Sequence, residues 1–405
     1  MELSSDTGRG SQLAVLGVGA AVVALALLYL GEAYFRRGKS LLFQQQCEAK
    51  PVRSDVKLSE EVKLADPAPL HDFRLQEATT RDHLYVNKCI RWPYFQTMAH
   101  QPMHPDNWIE IDHKYEQELR YKASVIEQHP ERTVLSLPEN DDACAELLQT
   151  LVDYLPKRYP TLFEALPGGG IHNKVFDLRF PDCAKLRGTD ALHVISKLVQ
   201  DDFLMGRERE DGHVYFVGGL VAIPGFYDFS AKIGMSMASV HAPVPHFNEK
   251  ILVSVERTLK RFKPSEPFER SSWEIVDDTK SYQHNIAGLK EGEKVSETLD
   301  PKDLILRIDH QTFRKLPKSR GIIFGVHPIL RPLHTLADLP LVPALLATVH
   351  KEGNEDLMNY KLAPCYQDKL LPYLAEMTQS QIDRGLIKGD EDVANFRDLV
   401  KKATA

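Results

Sequence analysis

Residues 13–30 read LAVLGVGAAVVALALLYL, eighteen apolar residues without a break, and no other stretch limits the possible folds of the chain as sharply. A membrane-spanning helix needs roughly 20 such residues, so the run lies at the lower edge of that class. Glu2, Asp6 and Arg9 precede it; Arg36, Arg37 and Lys39 follow, with Tyr29, Tyr34 and Phe35 as interfacial aromatics. A cleaved signal peptide would want its basic residues in front and a shorter apolar core. The flanks therefore predict an N-terminal membrane anchor over residues 1–40, with one transmembrane helix at 13–30. By the positive-inside rule this is a single-pass membrane protein whose C-terminal domain is cytosolic.

The rest of the chain must fold in water. With 405 residues, 43% hydrophobic, it has material for a sizeable core and is not disordered as a whole. The net charge is -7, and four basic against three acidic groups in the first forty residues leave -8 for the remainder. That excludes nucleic acid as the main partner, which needs a basic face to neutralise phosphates. Cys47, Cys89, Cys144, Cys183 and Cys365 lie far apart without a Cys-x-x-Cys pair, excluding zinc ribbons and Cys-ligated iron–sulfur clusters.

Residues 41–80 are polar, with Pro51, Pro67 and Pro69 scattered among alternating charges, and read as a tether. A helix is expected within 106–121, where Trp108, Ile111, Tyr115 and Leu119 recur at helical spacing, and another in 139–159, ended by Pro156. LPGGGIHNK (166–174) lacks the Gly-Lys-Ser/Thr ending of a phosphate loop and reads as a surface turn. HVYFVGGLVAIPGF (213–226) has strand character, broken at Gly218-Gly219. Residues 246–262 put Ile251, Val255, Leu259 and Phe262 on one face of an amphipathic helix. Strand runs at 304–313 and 321–329, joined by a turn containing Pro317, predict an antiparallel hairpin. Helical pieces cut by Pro340, Pro343, Pro364 and Pro372 follow, and the fold class is α+β.

Sixteen histidines make metal or haem binding the first chemistry to consider. His100 and His104 are four apart, but Pro102 and Pro105 prevent the helix that would join them as a zincin pair. There is neither a nucleophile elbow nor a dinucleotide fingerprint. Two contexts remain. His241 precedes the rigid Pro243-Val244-Pro245 turn, and Asp309, His310 and Gln311 crowd acid, base and amide on one strand. Alternation places Ile308, His310 and Thr312 on one face and Arg307 on the other.

Four segments carry a likeness to a known family: RWPYFQTM (91–98), DNWIEID (106–112), HAPVPHFNEKILVSVERTL (241–259) and LRIDHQTFRKLPKSRGIIFGVHPILRPL (306–333). Together, over roughly 85–375, the chain resembles the haem-dependent oxidative N-demethylase alpha-subunit-like family, whose fungal members are called HRQ family proteins. The resemblance implies a PAS-like antiparallel sheet with flanking helices and a b-type haem between sheet and helices. It places that haem-binding domain with its helical extensions at 81–380, and leaves 381–405 as a polar tail. The activity it implies is oxidative demethylation, or a related oxygen-dependent oxidation, of an amine or small metabolite. Electrons would come from a separate flavin and iron–sulfur reductase. A haem-based gas or redox sensor without turnover is the alternative.

Carried over by position, the resemblance makes His241 the axial ligand of the iron, with His246 in reserve. Asp309, His310 and Gln311 become the catalytic group, Asp309 as counter-ion to a protonated amine and His310 or Gln311 as hydrogen-bond donor towards oxygen. Arg314 is implied as a haem-propionate contact. Many relatives carry Glu-Arg-Gln where this chain has Asp309-His310-Gln311, so an imidazole stands in place of a permanent charge.

Overall fold

The computed structural model describes residues 65–86, 89–278, 282, 289 and 293–398. Ten strands occur among them: β1 (Gln101–Pro102), β2 (Val134–Ser136), β3 (Phe163–Leu166), β4 (Gly170–Asn173), β5 (Leu178–Phe180), β6 (Asp202–Glu208), β7 (Val214–Leu220), β8 (Phe268–Val276), β9 (Ile305–Lys315) and β10 (Ile322–Pro332). The helices that matter here are α1 (His83–Val86), α2 (Tyr115–Gln128), α3 (Asp141–Arg158), α4 (Gly188–Ile195), α5 (Met237–Val240), α6 (Leu252–Arg261), α7 (Val342–Glu352), α8 (Glu355–Tyr360) and α9 (Ala363–Asp383). The class is α+β.

Seven strands form one sheet in the order β1-β8-β9-β10-β6-β7-β2, every neighbouring pair antiparallel. The expected hairpin is β9–β10, in register from Ile322↔Lys315 to Pro332↔Ile305. A smaller sheet holds β3-β4-β5, and the Gly-rich stretch is its first hairpin. In β7 the glycines do not break the strand. A Cβ on Gly219 would stand 2.2 Å from the Phe203 carbonyl oxygen, so glycine is what lets β6 and β7 approach.

Alternation along each strand sends side chains into separate cores. Phe203, Met205 and Ile323 pack on α2, α3 and α4 with Tyr115, Leu147, Leu151 and Leu192. Leu204, Phe313, Ile322 and Val326 face the other way, onto Val240, Val244, Phe247, Val255 and Leu259. The C-terminal helices α7 to α9 bury Leu346 and Leu370 against Trp273, Ile275, Leu306 and Ile308.

The helix expected over 246–262 is two pieces, a π turn (Phe247–Ile251) and then α6. Val255, Leu259 and Phe262 are buried as the spacing required. At roughly 1.5–3 kcal/mol each, such side chains suffice to dock the helix on the sheet. Helix α2 begins at Tyr115 rather than near 106, because Asp112 caps the turn before it by accepting from the Lys114 N–H at 2.8 Å. Packing reaches beyond 81–380 on both sides: Leu75 and Ala78 are buried, and so are Ile387 and Phe396.

One expectation is corrected. Among the described residues no helix is long and apolar enough to cross a membrane. The longest, α9, carries Asp368, Lys369, Glu376 and Asp383, whose charges would be stranded in lipid. The run at 13–30, with the whole of 1–64, lies outside the described residues. The transmembrane helix, the single-pass localisation with a cytosolic domain, and the membrane as a partner are therefore withdrawn.

Candidate functional site

A cavity of about 810 Å³ lies between the β8–β9–β10 face of the sheet and the segment 237–259. That volume falls within the ~300–1,000 Å³ common to small-molecule and cofactor sites. Register decides which side chains reach it. Arg270 is paired with Gln311, Ser272 with Asp309 and Glu274 with Arg307, so all six share the cavity face.

His241 closes the helical side. Ser236 caps α5 by accepting from the Ser239 N–H, and the one-turn helix ends at His241 before Pro243 and Pro245 can clash with it. The ring stacks on Phe247 at 4.1 Å and 11°. Its Nδ1 donates to the Met237 carbonyl oxygen at 2.9 Å, which fixes the tautomer and leaves Nε2 as a lone pair. Nε2 makes no hydrogen bond among the described residues. Burial pushes the imidazole pKa down to about 4, so the ring is neutral at physiological pH.

Across the cavity stands an ionic group. The Arg307 Nε donates to Asp309 Oδ1 at 2.8 Å and lies 3.3 Å from Glu274 Oε1, while Nη2 donates to the Ile223 carbonyl at 2.9 Å. Burial opposes the charge on Arg307, but the two carboxylates outweigh it and hold its pKa above the usual value. Burial pushes the Glu274 carboxyl up to about 7; Arg307 opposes the rise and Asp309 adds to it. Gly225 permits the close packing, since a Cβ there would meet Glu274 Oε1 at 2.8 Å. The Gln311 amide nitrogen donates to Ser272 Oγ at 3.0 Å, which sets its orientation.

Arg270 differs. Its guanidinium faces the cavity without a carboxylate among the described residues, its Nε lacks a hydrogen-bond partner there, and Nη1 reaches only Met98 Sδ, at 4.0 Å. Burial lowers its pKa from the ordinary arginine value. A buried, unpaired guanidinium is costly unless an anion meets it.

Of the residues singled out in the sequence, the structure brings His241, Asp309 and Gln311 to this cavity. It does not bring the others. His310 points to the opposite face, as strict alternation from Asp309 requires, with Nε2 2.8 Å from Glu269 Oε2. Arg314 shares that face, with its guanidinium 3.9 Å over the Trp108 ring. His246 is half-buried and paired with Asp356 at 3.0 Å. Arg270 and Glu274 escaped sequence reasoning. The signal was FERSSWEIV (268–276), where Arg270, Ser272 and Glu274 alternate with residues of the opposite face.

These residues fit a haem. A neutral imidazole with its far nitrogen held by a carbonyl is what axial ligation requires. An orphaned buried guanidinium suits a propionate, and Phe216, Val244, Phe247 and Phe313 supply apolar walls. Residues 99–371, more than half of the chain, match the family described as haem-dependent oxidative N-demethylase, alpha subunit-like.

Proposed function

The chain belongs to the haem-dependent oxidative N-demethylase alpha-subunit-like family, and from that premise we propose that the cavity holds a b-type haem for the oxygen-dependent demethylation of a small secondary amine. A separate flavin and iron–sulfur reductase supplies the electrons. In net terms the methylated amine, dioxygen, two electrons and two protons give the demethylated amine, formaldehyde and water.

When bound, haem supplies the iron centre at which dioxygen is reduced. The protein's own residues hold and orient. His241 ligates through Nε2, and the Met237 carbonyl keeps that nitrogen unprotonated. Arg270 neutralises a propionate. Asp309 spends Oδ1 on Arg307 and offers Oδ2 to the ammonium of the substrate. Glu274, titrating near neutrality, takes up the amine's proton at its carboxylate, and Gln311 presents its carbonyl oxygen once Ser272 has fixed its amide nitrogen. The supporting observation is the pairing of a neutral, carbonyl-anchored His241 with an ionic carboxylate group across one cavity.

The test is turnover. Haem-loaded full-length protein, given a flavin and iron–sulfur reductase in air with a panel of N-methylamines, is expected to release formaldehyde, and Asp309→Asn to release at least tenfold less. Haem-loaded protein that yields none across the panel would instead be a sensor.

A further inference from the structure

On the face of the sheet opposite the cavity, a second group of ionisable side chains is drawn from four separate elements. Arg81 comes from the segment leading into α1 and His83 from its first position, Glu110 from the loop before α2, Glu269 from β8 and His310 from β9. His83, His310 and Glu269 are almost wholly buried, and Glu110 nearly so. The two imidazoles lie ring to ring at 4.2 Å.

Three donor atoms converge. Glu110 Oε2 is 2.9 Å from His83 Nε2 and 3.4 Å from His310 Nδ1, and one atom from each of the three residues falls within 4.8 Å of the others. Adjacent donors around a tetrahedral zinc with bonds of about 2.0–2.1 Å stand roughly 3.3 Å apart, close to the 2.9 and 3.4 Å that separate Glu110 Oε2 from the two imidazole nitrogens. The outer contacts are those of a metal site as well. His310 gives Nε2 to Glu269 at 2.8 Å, the carboxylate–histidine arrangement that leaves Nδ1 as the inward lone pair. Arg81 donates through Nε to Glu110 Oε1 at 3.0 Å and through Nη2 to Glu269 at 2.8 Å, and Gln101 donates to Glu269 Oε1 at 3.0 Å.

Charge and geometry both ask for a cation. With neutral imidazoles, one guanidinium faces two carboxylates among the described residues, a net negative charge in a buried group. We infer that His83, Glu110 and His310 form a binding site for a divalent first-row metal ion, zinc in first place, with Glu269 and Arg81 as its outer shell and water at the remaining position. Two histidines and one carboxylate are a donor set that zinc accepts. The ion would tie α1 and the Glu110 loop to the back of β9, and His310 sits in the chain between the cavity residues Asp309 and Gln311. The site thereby steadies the cavity floor from behind without touching a ligand there.

Metal content of the full-length protein, purified without chelator and without added metal, is the direct test, with haem iron counted separately by absorbance. About one zinc per chain is expected, falling at least tenfold in His83→Ala and in Glu110→Gln. Should either variant not fold, zinc added to the chelator-stripped wild-type protein supplies the reading. It is expected to raise the melting midpoint by several degrees, where magnesium does not. Stripped protein that neither takes up zinc nor changes its midpoint, from a preparation without metal beyond haem iron, would mean that the cluster is closed by a proton alone, and would overturn the inference.

Discussion

Glu274→Gln replaces a carboxyl by an amide of the same shape while leaving an oxygen for Arg307, and the structure sets what should follow. The Glu274 carboxyl titrates near its ordinary 4.5 in the unfolded chain and is pushed up to about 7 in the folded one, by burial first and by Asp309 as well. Between those values the native state holds a proton that the unfolded chain has lost. Stability therefore falls as pH rises through that window, by about 1.4 kcal/mol per pH unit and about 3 kcal/mol in all, and above pH 7 the loss is complete. The variant has no proton to lose. Its unfolding free energy minus that of the wild type should climb by about 3 kcal/mol between pH 4.5 and 8. Urea unfolding at four pH values across that range, on full-length proteins of equal haem content, measures the difference. Parallel curves for the two proteins would refute the reasoning, because Glu274 would then be an ordinary carboxylate and could not exchange a proton with an amine near neutrality.

Other outcomes follow from buried ionic groups behind the cavity. Burial opposes a charge on His327, but Asp201, Glu118 and Asp112 outweigh it and push the pKa up to about 9. The stability from this pairing, about 3 kcal/mol, is fully present below pH 6.5 and is lost as pH rises through about 9. His327→Gln should therefore cost stability at pH 6 and little at pH 10, read by chemical unfolding. Lys122 is fully buried, donates to the carbonyls of Gln200 at 2.8 Å and Asp201 at 2.6 Å, and pairs with Asp202 at 3.1 Å. Lys122→Met should destabilise by about 3–5 kcal/mol by leaving Asp202 buried without its cation; a loss under about 1 kcal/mol in urea unfolding would contradict this.

What the sequence disclosed, and what it did not, can be argued residue by residue. The β9–β10 hairpin was legible because eleven-residue strands with apolar alternation and a proline turn have few other solutions. Alternation already set His310 apart from Asp309 and Gln311, since neighbours cannot share one side of a strand, but the resemblance grouped all three at one site and only two of them reach the cavity. The helix at 246–262 was legible as an apolar stripe, whereas its π turn was not, because the stripe records burial and not hydrogen-bond pattern. Trp108 and Ile111 mimicked a helix at 106–121 because both are buried in a loop, where spacing carries no periodic meaning. The roles of Arg270 and Glu274 depended on the register between β8 and β9, which is a long-range property. The cluster of Arg81, His83, Glu110, Glu269 and His310 spans more than two hundred positions of chain, and no local pattern could have assembled it.

Haem seated at His241 is the centre on which every proposed role depends, and the absorption spectrum of the purified full-length protein tests it most directly. One haem per chain with a Soret band is expected, and His241→Ala should abolish or strongly shift that band while His246→Ala leaves it unchanged. Full-length protein that takes up no haem when it is supplied, or a Soret band indifferent to His241→Ala, would contradict it.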